Sequence, residues 1–189
     1  MPPGERAFRV AAAMLVALAA ALRFWALGLG LPHPMARPDE ETVLAQTAAP
    51  ARGEILLDWS IYPSAYVDLT WAWGAAGLRV GEWLGAFPPE GYLSVLSAHP
   101  ERLILVDRVL SASAGTATVA LLVAGTRAAL GPGAALAAGA LLATSFLHVR
   151  DSHAAKPDVL FALGALASLG AMARLARGAT LRRAAVTGL

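Results

Sequence analysis

The chain of 189 residues contains no cysteine. That excludes a small disulfide-stapled scaffold and leaves no redox evidence about compartment. Charge is also scarce: Asp, Glu, Lys and Arg make up 15% of the residues, against about 25% in soluble domains. No basic cluster marks a nucleic-acid surface. There is no internal repeat and no low-complexity tract, and the composition is neither disordered nor collagen-like. What remains is apolar. Hydrophobic residues reach 57% and the mean hydropathy is +0.58. Alanine, leucine and glycine supply most of it, which suits helices packed closely in lipid. The expected fold class is all-α: a polytopic membrane protein in one domain, 1–189.

A span needs about 20 apolar residues. Four stretches qualify: 7–31, 103–130, 133–149 and 159–173. The first contains Arg9 and Arg23, and the second opens on Asp107 and Arg108. The last two contain no charge. A basic start followed by an apolar run also describes a signal peptide, but here the run continues through Phe24, Trp25 and Leu27. It reads as a retained span.

The segment 32–102 is the expected outer loop, with interfacial helices at about 39–49 and 62–84. In the second of these, Asp68, Ala72, Ala75, Arg79 and Glu82 form one polar stripe at helical spacing. Tyr66, Leu69, Trp73, Val80 and Trp83 lie mainly off it. A polar face opposite an aromatic one describes a helix lying in the interface. The neighbourhood agrees, since four of the five tryptophans and all three tyrosines fall between Trp59 and Tyr92.

The positive-inside rule fixes the parity. Arg6 and Arg9 put the N-terminus in the cytoplasm. Arg174, Arg177, Arg182 and Arg183 put the C-terminal end there as well, so the number of spans is even. With four spans, Arg127 is cytoplasmic and 38–103 lies outside. That loop carries nine acids against three arginines, which fits the non-cytoplasmic face. The last residues begin what reads as another apolar segment, as in the N-terminal portion of a longer protein.

This topology places two polar motifs on the outer face. Arg37-Pro38-Asp39-Glu40-Glu41 follows the first span. Its plain reading is a helix start, with proline early and acids in the first turn. Its functional reading is a general base or a divalent-metal ligand. The second motif runs from His148 to Asp158, between the third and fourth spans. It reads either as a polar loop or as an anion site in which Arg150, His153 and Lys156 are phosphate donors. Arg108 is a further phosphate candidate, because its planar fork suits that anion. Its plain alternatives are an ion pair with Asp107 or snorkelling.

Taken in order, these motifs resemble the N-terminal part of the GT-C membrane glycosyltransferases that use lipid-phosphate sugars. The motifs are Leu22-Arg23-Phe24-Trp25, Arg37-Pro38-Asp39-Glu40, Tyr62-Pro63, Asp107-Arg108-Val-Leu-Ser111 and Ser145-Phe-Leu-His148, followed by Ser152-His153-Ala-Ala-Lys156-Pro157-Asp158. The resemblance is to the protein mannosyltransferase and aminoarabinose transferase relatives, of the glycosyltransferase family 39 type, which are much longer chains. It implies a polyprenyl-phosphate sugar donor and an acceptor glycan, lipid or protein. Transfer would invert the anomeric carbon at the non-cytoplasmic face of a bacterial-type inner membrane. The implied catalytic residues are Asp39 as base, Glu40 as its assistant or a metal ligand, and Asp158 as the second acidic position. Arg108, Arg150, His153 and Lys156 are the implied donor-binding set. A divalent metal would draw on Asp39, Glu40 and His148. Lys156 departs from the small polar residue expected before the second acid. The competing classes are half of a transporter or flippase, and a non-catalytic scaffold. Uncharged third and fourth spans count against transport, which places ionisable groups at mid-depth.

Overall fold

The computed structural model describes residues 2–33, 37–54 and 62–176, with Pro38 described by its backbone alone. Asp58, Trp59, Arg177, Arg182 and Arg183, which entered the interface and parity arguments, lie outside the described residues. Among the described residues there are nine helices and no strand. They are α1 (Pro3–Phe24), α2 (Pro38–Gln46), α3 (Ala48–Ala51), α4 (Ser64–Trp83), α5 (Tyr92–Ala98), α6 (Pro100–Leu130), α7 (Pro132–Ala143), α8 (Phe146–Ser152) and α9 (Asp158–Ala176). Prolines stand at the first positions of α2, α6 and α7, where the missing N–H is not needed.

Three helices, α1, α6 and α9, are long and apolar enough to cross a membrane. The pair α7 and α8, bent by 59° at a short break, makes a fourth if it is one broken span. The 20-residue α4 is not among them. The first expected span is shorter than its apolar run. Its helix stops at Phe24, and turns occupy 25–32, where Ala26 takes a φ of 55° and Gly30 one of 87°. Glycines and Pro32 end the helix although hydropathy continues.

The chain divides into two compact units. The first comprises 1–23, 113–149 and 158–189. Its core is Ala19, Val119 and Ala143, with Leu15 and Leu142 against them. Small residues set the spacing. A Cβ on Gly139 would sit 2.4 Å from Val123 Cγ2 and 2.7 Å from Leu15 Cδ2, so glycine permits this approach of α7 to its neighbours. At one end of the unit, Glu5 of α1 pairs with Arg127 of α6 at 2.7 Å, and the Arg127 guanidinium stacks on Phe8. The α6–α7 turn passes through Gly131 at φ 90°, ψ 179°, a conformation open essentially to glycine alone.

Arg23 closes the other end of this unit. It is fully buried. Its guanidinium donates to the carbonyls of Ala19 at 3.0 Å, Ala143 at 3.2 Å and Leu142 at 3.1 Å, and meets His148 Nδ1 at 2.9 Å. The last carbonyls of a helix have no intrahelical donor. Arg23 supplies donors to two of them and sets a positive charge at the negative end of α7. The third apolar run, expected as a continuous span, therefore breaks at Thr144-Ser145, where an arginine from α1 replaces the next helical turn.

The second unit comprises 24–112 and 150–157. Its core holds Leu44, Leu78, Val95, Leu103 and Ile104, bordered by Leu31, Phe87, Tyr92 and Leu96. On α4 the buried positions are Tyr66, Val67, Thr70, Gly74, Leu78 and Gly81. The helix thus packs by a face rich in small residues, between its polar stripe and its exposed apolar face. Leu69, Val80 and Trp83 are exposed as the pattern implies, but Tyr66 is turned into the core. Trp73 Nε1 donates to the Val106 carbonyl at 2.8 Å, which joins α4 to α6.

Candidate functional site

At the start of α2 the chain arrives extended at Arg37 (φ −141°, ψ 94°), and the helix opens with Pro38 followed by three acids. Successive residues on a helix are about 100° apart, so neighbouring acids point in different directions. Asp39 has a side chain 61% exposed, whereas that of Glu40 is 1% exposed.

Glu40 is fully engaged. Its Oε1 accepts from Arg108 Nε at 2.8 Å and from the Ala155 backbone N–H at 2.8 Å. Its Oε2 accepts from Arg108 Nη2 at 2.6 Å. Arg108 Nη1 donates to the carbonyls of Leu27 at 2.5 Å and Leu29 at 3.0 Å. One buried fork therefore ties together α2, α6, the turn after α1 and the segment 150–157. Such two-bonded, charge-assisted pairs are the strongest of protein hydrogen bonds. Neither Glu40 nor Arg108 presents a face to a ligand.

Above this pair lies a second, accessible layer. Arg37 Nη1 donates to the His153 carbonyl at 2.6 Å. His153 Nε2 meets the Trp25 carbonyl at 2.9 Å; a carbonyl only accepts, so this nitrogen carries the proton. Lys156 is the only lysine in the chain. Its Nζ lies 3.6 Å from Asp39 Oδ2 and 3.7 Å from Asp151 Oδ1. Asp151 also accepts from Arg150 Nε at 2.9 Å. Ala154 and Ala155 are buried. Their small side chains let the segment lie close enough for the Ala155 N–H to reach Glu40.

The two motifs singled out in the sequence thus meet within one unit. Asp39, Glu40, Arg108, Arg150, His153 and Lys156 all belong to it. Asp158 and His148 belong to the other unit, where Asp158 opens α9 and His148 meets Arg23. Among the described residues no three His, Asp or Glu side chains gather as a metal site would require. Sequence reasoning did not select Arg37 or Asp151 as site residues, although both stood inside the quoted motifs. Neither carries a spacing signal, and only the folded loop brings them to Asp39.

Chemically, the accessible layer offers an exposed carboxylate able to accept a proton, beside cations able to hold an anion. No family model matches the chain, and neither a curated protein nor a solved structure is similar to it.

Proposed function

We propose that this chain is a membrane glycosyltransferase, or the N-terminal part of one, with the GT-C architecture. In this reading it transfers a sugar from a polyprenyl-phosphate donor to an acceptor hydroxyl at the outer membrane face, with inversion. The observation that carries the reading is the meeting of Asp39 with Lys156 at 3.6 Å, which joins the first outer motif to the second. A sugar phosphate leaves as a phosphate anion and needs no general acid. One base toward the acceptor and cations toward the phosphate suffice. Asp39 is the base and takes the acceptor proton as oxygen attacks the anomeric carbon. Lys156 and Arg150 receive the phosphate. The buried Glu40–Arg108 fork holds Asp39 and Lys156 at their separation, so Arg108 is a positioning residue and not a phosphate ligand.

The topology belongs to the same proposal. Glu5 and Arg127 pair at one end of the first unit, which groups the N-terminus with the α6–α7 turn. Arginines at that end make it the cytoplasmic one.

Transfer assays on the chain in vesicles, with polyprenyl-phosphate hexose and pentose donors, test the reading. Asp39→Asn keeps the shape but cannot take the proton, so turnover falls by at least about a hundredfold while donor binding persists. Absence of donor binding by the unaltered chain, or near-normal turnover in Asp39→Asn, would sink the assignment.

A further inference from the structure

Two buried polar side chains on α6 are unused by the site just described. Asp107 is 2% exposed and Ser111 is 1% exposed. They stand four residues apart and so share one face of the helix. Asp107 Oδ1 and Ser111 Oγ are both enclosed, and neither has a hydrogen-bond partner among the described residues. Buried polar atoms are nearly always paired, and each exception calls for an explanation.

Charge sharpens the point. Asp107 lies within electrostatic reach of Glu40. The Arg108 cation is committed to Glu40 and to the Leu27 and Leu29 carbonyls. The nearby Tyr92 hydroxyl is committed as a donor to Thr47 Oγ1 at 2.9 Å. The buried group of Asp107, Glu40 and Arg108 therefore has two acids and one base, leaving one negative charge without a counter-charge. An isolated charge is costly to bury unless something neutralises it.

Three small species can enter such a site, and they differ in what they satisfy. A proton on Asp107 removes the charge but leaves Ser111 Oγ alone, because the two side chains do not hydrogen-bond to each other. A neutral water serves both oxygens but leaves the charge. A hydrated cation does both. The excess is a single charge, and no cluster of three His, Asp or Glu accompanies Asp107 among the described residues, so the cation is monovalent. Carboxylate and hydroxyl oxygens suit a hard ion. We propose that Asp107 Oδ1 and Ser111 Oγ belong to a buried binding site for one small monovalent cation of the sodium type, beside the Glu40–Arg108 pair. The site stands independently of the sugar-transfer reading.

Thermal unfolding of the whole chain in detergent, in sodium, lithium, potassium and choline chloride at equal ionic strength, tests it. The expected result is a midpoint temperature that rises with sodium as a binding curve and stays flat in choline, because a ligand of the folded state alone stabilises that state. Asp107→Asn should abolish the sodium dependence and melt no lower than the unaltered chain does in choline. Ser111→Ala keeps the charge and should raise the sodium concentration at half-effect by about tenfold, in line with losses at metal sites. It carries the test if Asp107→Asn does not fold. Equal melting in all four salts, with stability moved only by pH, would assign the neutralising role to a proton and overturn the cation site. Sodium dependence that survives Asp107→Asn, or is untouched by Ser111→Ala, would overturn it equally.

Discussion

The Glu40 carboxylate and the Arg108 guanidinium, 68 positions apart in the chain, face each other through two hydrogen bonds of 2.8 and 2.6 Å. Both side chains are 1% exposed. In a dry core, removing one partner strands the other. Glu40→Ala and Arg108→Ala should each destabilise the fold by about 3–5 kcal/mol. Replacing both residues by apolar ones should cost less than the sum of the two single changes, because no charge is then left behind. Thermal melting of the three variants in detergent checks this. Additive losses would show that the pair is not coupled.

Lys156 and Arg108 separate a ligand role from a structural one. Lys156 is on the accessible layer, with its side chain 23% exposed. Lys156→Ala should leave the melting temperature nearly unchanged and weaken binding of a polyprenyl-phosphate sugar by about tenfold or more, as the charge-assisted bonds to phosphate are lost. Arg108→Ala should lose binding only in step with melting. Binding isotherms beside melting curves distinguish the two.

Arg23 holds the broken end of α7. Arg23→Ala removes the donors from the carbonyls of Leu142 and Ala143. Leaving buried acceptors unmet costs about 1–3 kcal/mol. Backbone hydrogen exchange should quicken around 140–148 before it does elsewhere. Arg23→Lys should restore part of the protection, since an ammonium keeps the charge but cannot span the same carbonyls as a fork. Unchanged exchange in Arg23→Ala would contradict the cap.

Close packing at Gly139 makes a sharper steric test. An added methyl would meet Val123 and Leu15 well inside contact distance. Gly139→Ala should cost about 1–3 kcal/mol despite alanine's better helix propensity. Gly133→Ala on the same helix, where a Cβ meets nothing within 4 Å, should be neutral or slightly stabilising. The ratio of the two melting shifts is the measurement.

The proposed orientation yields opposite signals from reporters. A fusion after Pro132 should report cytoplasm, and one after Pro89 the outer side. A cytoplasmic signal at Pro89 would turn α4 into a span and reverse the parity.

The sequence by itself determined the helical class and the long apolar segments. Hydropathy and helical spacing are local, additive properties that survive without knowledge of neighbours. It also marked the two polar motifs, because acids and cations returning between apolar runs stand out against a composition this poor in charge. Tertiary structure decided what each charged side chain faces. Asp39 and Glu40 are adjacent and chemically alike, yet one lies open beside Lys156 and the other is buried in a fork with Arg108. Nothing local distinguishes them; the 100° between neighbours on a helix does, once α6 and the 150–157 segment are in place. Arg23 gave the same difficulty. As a charge near the end of an apolar run it read as an interruption, and only the fold shows it inserted at the end of α7, 119 and 120 positions away. The break in the third span followed from that contact rather than from its own uncharged sequence. Long-range pairing of this kind depends on which carbonyls and carboxylates the packed helices leave without partners. That inventory exists only after folding.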